Sequence, residues 1–304
     1  MSEGKAPPRR HHYVPAFLLQ GFTLSGRRDE YLWVHDLEQK KSWKAKPDKT
    51  AHERDYDRID LVDVDPYLVE EVLSKIESEA AATISGMQKI GSLPSGEDFQ
   101  QLIYFVTLLA LRTPSFRELY EQNMGYMRKT ELQLATSDRK RFEEFINEQV
   151  GKGLVLPADF TYQKFRDLVC DDNAYYIGVP RTESVRMILQ LLPDLFEIFL
   201  ARSWSLLLAA PKEGHFICAD MPVSITPTKP DFKPQFLGFG QRDTELRVPL
   251  SCSMALVGAF DAPSVTREVG VEIIRYVNQR TRGFAKRFIY SPNCRIPDLL
   301  TYPL

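Results

Sequence analysis

The sequence has no long hydrophobic run and no surplus of one charge. Its longest apolar stretch, residues 102–111, is too short to cross a bilayer, and no apolar segment follows the basic start of the chain. These absences predict a soluble, cytoplasmic protein with no membrane partner. Lys and Arg number 39 against 41 Asp and Glu. Any binding of nucleic acid must therefore depend on a local basic surface, because the chain as a whole does not attract polyanions.

Cysteine is scarce, and the spacing of the four cysteines excludes a familiar metal or redox motif. Cys170, Cys218, Cys252 and Cys294 lie tens of residues apart and form no C-x-x-C pair, so we expect reduced thiols that are mostly buried. The glycine-rich phosphate and dinucleotide motifs, the nucleophile elbow and the zinc-protease motif are also missing. No organic cofactor is therefore expected.

The patterns that are present divide the chain into three parts. Residues 1–65 are strand-rich and include a predicted hairpin at 29–46, whereas residues 66–202 show the apolar spacing of helices. Residues 203–304 return to strands and add one helix. No internal repeat is visible, which removes solenoid folds. We predict a single α+β domain over 1–304, in which the helical middle packs on a mostly antiparallel sheet built from N-terminal and C-terminal strands.

Three predictions concern the C-terminal part. Residues 203–210 and 215–220 are strand-like segments joined by a short polar turn, which predicts a hairpin. The proline-rich stretch 222–234 is predicted to be a long loop, and long ordered loops often carry function. Residues 264–283 are predicted to form a helix.

Several fragments along the chain resemble those of one known family. The fragments follow one another in the order "HHYVPAFLLQGF", "HERDYD", "RTPSF", "FICADMPV" and "YVNQRTRGFAKRFIYS". They resemble the bacterial family known as domain of unknown function 4238, whose members typically open with His-His-x-Val-Pro. The resemblance spans nearly the whole chain and implies one domain from end to end. Because the family has no established activity, the resemblance marks positions and not a reaction.

The adjacent histidines of the opening motif, His11 and His12, are the first candidate catalytic residues. Pro15 follows closely and favours extended backbone, in which neighbouring side chains point to opposite faces. The pair therefore cannot easily bind one metal together. Either imidazole could act as a general base, a ligand or a phosphate donor. The alternative is a hydrogen-bonded packing residue that anchors the N-terminal strand.

Arg112, Asp220 and Asn278 are further candidates for catalysis. Arg112 and Asn278 follow apolar residues at helical spacing, so each is predicted to be buried and to need a partner. Asp220 ends a predicted strand and is the expected mate of Arg112 or of a histidine. The alternative is an internal ion pair that fixes the packing of helices on the sheet.

Glu70 and Glu77 are the candidate metal ligands. They are seven residues apart on one flank of a predicted helix, about 10 Å along its axis, so we expect them to meet different partners and not one ion. His52, Glu53 and Asp55 form a charged loop that we interpret as solvated, because surface loops usually carry charge.

A basic segment near the C-terminus predicts contacts to phosphate. Arg275, Arg282 and Arg287 belong to a run of five bases with no acid among them, and aromatic residues nearby could stack on bases. The same run could be a solvated face.

Two hypotheses for the function follow from these residues. The first is a hydrolytic, nuclease-like enzyme that acts on nucleic acid or another phosphate-containing ligand, with a divalent metal as its cofactor. The second is a non-catalytic binding or regulatory protein whose His, Arg, Asp and Asn motifs form a structural polar network.

Overall fold

The α+β class is confirmed in a computed structural model that describes residues 9–229 and 237–294. Within these ranges the helices are α1 Ala16–Gln20, α2 Leu68–Ile90, α3 Gly96–Leu111, α4 Pro114–Ala135, α5 Arg139–Gly151, α6 Tyr162–Cys170, α7 Arg181–Leu200 and α8 Val271–Phe284. The strands are β1 Arg10–His12, β2 Leu32–Asp36, β3 Lys41–Ala45, β4 His52–Arg54, β5 Ser203–Ala209, β6 Cys218–Ala219, β7 Ser224–Pro227, β8 Thr244–Ser251, β9 Met254–Ala259, β10 Thr266–Val269 and β11 Phe288–Ser291.

The described strands form three sheets where the sequence predicted one. A four-stranded antiparallel sheet, in the order β3-β2-β11-β6, joins strands from both ends of the chain as expected. A five-stranded sheet, in the order β10-β5-β9-β8-β7, is built from C-terminal strands and is antiparallel except where β10 pairs with β5. The short strands β1 and β4 form a separate antiparallel pair.

Three predictions for the C-terminal part are wrong in detail. The segments at 203–210 and 215–220 do not form a hairpin, because β5 lies between β9 and β10 whereas β6 pairs with β11 in the other sheet. Leu206 and Leu207 of β5 are both buried, as in a central strand that is covered on both faces.

The other two corrections also follow from strand pairing. The first residues of the predicted helix 264–283 form β10, because pairing with β5 outweighs their local pattern. Part of the predicted loop 222–234 forms β7, which pairs with β8. Residues 230–234 of that loop prediction lie outside the described residues.

One hydrophobic core connects the sheets with α2 and α3. Helix α3 is mostly apolar from Leu102 onward and buries Leu102, Phe105 and Leu109. Ile84 of α2 and Tyr290 of β11 belong to the same cluster, together with residues of β2, β5, β7, β8 and β9. Helix α3 ends at Leu111 and a new helix begins at Pro114, because proline cannot continue the hydrogen bonding of the preceding helix.

The chain divides into two compact units. The first comprises residues up to 116 and from 185 onward and contains the sheets and the core just described. The second comprises residues 117–184, where α5 and α6 pack through Phe142, Phe160 and Phe165. The prediction of a single domain stays a prediction. Over the described part of the chain, none of the helices combines the length and the apolarity that a bilayer crossing requires.

Candidate functional site

The two histidines of the opening motif point to opposite sides of β1, as extended backbone predicts. His11 is completely buried, and its ring meets the Tyr67 ring edge-on at 6.1 Å between centroids. The backbone N–H of Asp57 donates a hydrogen bond of 2.9 Å to His11 Nδ1. Because Nδ1 accepts this bond, it carries no proton, and the imidazole is neutral with its proton on Nε2.

The side chain of His12 contacts neighbouring residues of the chain that hold β1 in place. Its Nδ1–H donates to the carbonyl oxygen of Thr50 at 3.0 Å, and its ring packs edge-on against His52. Burial lowers the pKa of His12 to about 4, which the hydrogen bond to Thr50 offsets only in part. A neutral donor that ties β1 to the segment before β4 is a packing residue, so the catalytic role predicted for His12 gains no support.

Arg112 lies at the centre of a buried group of carboxylates. It follows the last residue of α3, and its guanidinium donates from Nε and Nη2 to Asp57 Oδ2 at 3.1 and 2.6 Å. Nη1 donates to Glu77 Oε1 at 2.5 Å, and Nη2 reaches Glu70 Oε2 at 3.3 Å. The predicted burial of Arg112 is therefore confirmed, and so is its need for a partner.

Glu70 and Glu77 lie on one flank of α2, as their spacing predicts, but both reach the same guanidinium, so the expectation that they meet different partners is wrong. Burial raises the pKa of Glu70 to about 7, and the charge of Arg112 lowers it only in part. Burial also raises the pKa of Glu77. Burial by itself would lower the pKa of Arg112, but the charges of Asp57 and the two glutamates raise it. The cluster therefore holds three carboxyl groups against one guanidinium and one neutral imidazole.

Three of these residues could hold a metal ion. His11, Asp57 and Glu70 each offer one ligand atom, and these atoms lie within 4.8 Å of one another. His11 Nδ1 is 3.9 Å from Asp57 Oδ2 and 3.7 Å from Glu70 Oε2. Of the two predicted metal ligands, Glu70 belongs to this group and Glu77 does not. We refer to His11, Asp57, Glu70, Glu77 and Arg112 as the acidic cluster.

The sequence interpretation missed Asp57. It sits in "HERDYDRID", a charged segment that we interpreted as a solvated loop, although Asp57 and Asp55 are both buried. The pairing of β4 with β1 carries this segment past His11, and Asp55 forms a bidentate ion pair with Arg9. In the sequence, the acids at 55 and 57 flank Tyr56, which is also buried. An aromatic residue between two acids was the available signal that this segment is packed and not solvated.

Asp220 does not meet Arg112, so the partner predicted for Arg112 is wrong. Its carboxylate accepts hydrogen bonds from the backbone N–H groups of Lys286, Arg287 and Phe288, at 2.9, 2.8 and 2.9 Å. Burial nevertheless raises the pKa of Asp220 above its ordinary value. The side chain fixes the turn that leads into β11, which is a structural role.

Asn278 is buried in α8, and its side chain bonds that helix to the segment between β5 and β6. Its Oδ1 accepts from the N–H of Ile217 at 3.0 Å, and its Nδ2 donates to the carbonyl oxygen of His215 at 2.9 Å. The predicted burial and the need for a partner are confirmed, and both partners are backbone groups. Among the described residues, the hydrogen bonds of Asn278 and of Asp220 go to backbone groups outside the acidic cluster, so these candidates lie in separate local networks.

The three arginines predicted to contact phosphate differ in exposure and in whether a carboxylate already pairs with them. Arg287 donates from Nε and Nη2 to Asp36 Oδ2 and lies 3.3 Å from Glu38, so its charge is already paired. Arg275 is exposed on α8, and Arg282 is half-buried. A phosphate contact by Arg275 or Arg282 stays a prediction.

Comparison with known proteins gives a family and no activity. No curated protein and no solved structure matches the chain. One family model, described as a protein of unknown function (DUF4238), matches residues 10–293 and so includes every residue of the acidic cluster. The resemblance seen in the sequence fragments is thereby confirmed: the chain belongs to the DUF4238 family.

Proposed function

We propose that the protein is a divalent-metal-dependent hydrolase that acts on a phosphate-containing substrate such as nucleic acid. The observation that carries the proposal is the convergence of ligand atoms from His11, Asp57 and Glu70 within 4.8 Å. One imidazole and two carboxylates are a ligand set suited to divalent cations of the Mn²⁺ and Zn²⁺ type. The metal would activate water and polarise a phosphoryl oxygen.

The charge of the acidic cluster supports a cation. Three carboxyl groups surround one guanidinium, and the neutral imidazole of His11 adds no positive charge. A buried negative surplus must be balanced by a proton or by a metal ion. The side chains of Glu70 and Glu77 remain 22% and 23% exposed, which leaves an approach from solvent along α2.

Arg112 would orient the ligands in this proposal. Its contacts to Asp57 and Glu70 fix the two carboxylates beside His11, as partners behind metal ligands commonly do. Without the ion, burial holds the pKa of Glu70 at about 7, so binding of the cation near neutral pH would displace a proton from this ligand. The exposed Arg275 and the half-buried Arg282 would contact phosphate groups of the substrate.

A specific observation favours the second function, a non-catalytic protein in which the cluster is a structural network. The nitrogen of His11 that faces the carboxylates already accepts the Asp57 N–H, so metal binding through Nδ1 would break that hydrogen bond. Arg112 also pairs with all three carboxylates. In this case the cluster joins β1, the segment after β4, α2 and the end of α3.

A metal titration separates the two functions. We expect the intact chain to bind Mn²⁺ by isothermal titration calorimetry and to cleave single-stranded DNA or RNA in a reaction that EDTA stops. Glu70→Gln should weaken Mn²⁺ binding by about tenfold or more, because it removes a charged ligand. Glu71→Gln, the exposed neighbour on the same helix, serves as the matched control and should bind Mn²⁺ normally.

Two results would contradict the enzyme. The first is the absence of Mn²⁺ binding by the unaltered protein, and the second is equal binding by Glu70→Gln and Glu71→Gln. Either result, with no cleavage of DNA or RNA, would leave the structural network as the function of the cluster.

A further inference from the structure

A cavity of about 240 Å³ lies between one face of the five-stranded sheet and α8. Alternate residues of β5, β8 and β9 line it, among them Ser203 and Ala259, which are paired partners across neighbouring strands. Ala262, in the connection after β9, lines it as well. These small side chains leave space above the sheet unfilled. We call this space the arginine pocket, after the residues described next.

Arg247 lies in the wall of the arginine pocket and is almost completely buried. Its Nη2 is 2.6 Å from Glu245 Oε1 and 3.1 Å from the hydroxyl of Tyr276, and its Nη1 donates to Thr226 Oγ1. Its guanidinium also lies over the Tyr276 ring, 4.6 Å from the ring centroid. Among the described residues that line the pocket, Glu245 is the only carboxylate, so its charge can balance that of Arg247 and of no further arginine.

Two further arginines add charge that nothing nearby balances. Arg267 of β10 lines the pocket and is exposed, and Arg280 of α8 lies over the Tyr276 ring at 5.1 Å. Within residues 9–229 and 237–294, neither arginine forms an ion pair with a carboxylate. Arg280 Nε is buried and has no hydrogen-bond partner there. Three guanidiniums against one carboxylate leave two positive charges, one on Arg267 in the lining of the cavity and one on Arg280 against the ring of Tyr276.

We infer that the arginine pocket binds a phosphate dianion, either free or as the head group of a small monoester. The two surplus charges match a dianion better than a carboxylate, and the planar guanidinium forms paired hydrogen bonds to phosphate oxygens. Ser203 also lines the cavity, and its hydroxyl can supply a neutral donor. Val257, Val265 and Ile273 form an apolar wall with room for a compact substituent.

The pocket is independent of the proposed metal site. It contains none of the residues of the acidic cluster, and its ligand needs no metal and no hydrolysis. A failure of one proposal therefore leaves the other standing. Burial lowers the pKa of Arg247, and the charge of Arg280 also lowers it against the opposing effect of Glu245, as expected where like charges share a site.

Titration of the intact chain with inorganic phosphate tests the inference. At constant ionic strength and in the presence of EDTA, we expect saturable binding of phosphate and much weaker binding of acetate. Arg267→Gln should weaken phosphate binding by about tenfold or more, because it removes a charged hydrogen-bond donor at the mouth of the pocket. Arg28→Gln removes an exposed arginine from a distant loop and should leave the affinity unchanged.

A second variant tests the cavity without changing any charge. Ser203→Leu fills the space above β5 with an apolar side chain, and it should abolish phosphate binding while the far-ultraviolet circular dichroism stays as it is. The inference is overturned if the unaltered protein does not bind phosphate. It is also overturned if Arg267→Gln and Arg28→Gln lower the phosphate affinity equally, or if the Ser203→Leu protein binds phosphate normally. Tighter binding of acetate than of phosphate would also overturn it.

Discussion

Arg112 and Arg247 are both buried arginines, but the charges around them have opposite signs. Arg112 meets three carboxyl groups, which raise its pKa against the effect of burial. Arg247 meets one carboxylate and has a second arginine beside the same tyrosine ring, and its pKa is lowered. A buried guanidinium can therefore belong to a site that attracts cations or to one that attracts anions. The surplus charge around it decides which.

The largest expected effect comes from removing the guanidinium of the acidic cluster. Arg112→Met would leave Asp57, Glu70 and Glu77 without their shared cation, and breaking a buried ion pair in this way costs about 3–5 kcal/mol of unfolding free energy. Urea unfolding at pH 8 measures it. The loss should be smaller at pH 5, because protonation of the glutamates removes part of the unbalanced charge.

Arg58→Met provides the comparison for an exposed pair. Arg58 pairs with Asp60, and their side chains are 36% and 66% exposed, so the loss should stay below about 1 kcal/mol. If Arg112→Met were no more destabilising than Arg58→Met, the acidic cluster would not hold the first unit together.

A smaller effect is expected for the corresponding change in the arginine pocket. Arg247→Met leaves a single carboxylate, Glu245, whose side chain is already 25% exposed and can be hydrated, and it relieves repulsion by Arg280. We expect a loss of about 1–3 kcal/mol in urea unfolding. The double variant Arg247→Met with Glu245→Gln should be closer to the unaltered protein than the single variant. A greater loss in the double variant would contradict this account.

The comparison also shows what could be predicted from the sequence. Apolar spacing located α2, and the position of Arg112 beside apolar residues predicted a buried arginine that needs a carboxylate. The identity of that carboxylate could not be predicted, because Asp57 lies in a segment without periodicity and reaches His11 only through the pairing of β1 with β4. Asp220 was the plausible alternative, but three backbone N–H groups hold its carboxylate.

The arginine pocket was missed for a similar reason. Arg247 lies on β8 and Arg267 on β10, and the order of strands in the five-stranded sheet, which places β5 and β9 between them, brings both to the cavity that Tyr276 lines. The sequence interpretation took phosphate contacts from a continuous basic run, but Arg287 of that run pairs with Asp36 of β2. Charge surplus is a property of the folded neighbourhood, so a count along the chain cannot locate it.

Glu70 should make the stability of the fold depend on pH. Its pKa is about 7 in the folded chain and 4.5 as an ordinary glutamate, so the folded state binds more protons between these values. The group therefore stabilises the fold most below pH 4.5, and this contribution is lost as the pH rises to 7. The slope is at most about 1.4 kcal/mol per pH unit. Glu70→Gln mimics the neutral acid. In EDTA, the unaltered protein should lose stability relative to this variant from pH 4.5 to 7, whereas Glu71→Gln should show no such trend. A pH-independent difference would mean that the fold does not raise the pKa of Glu70.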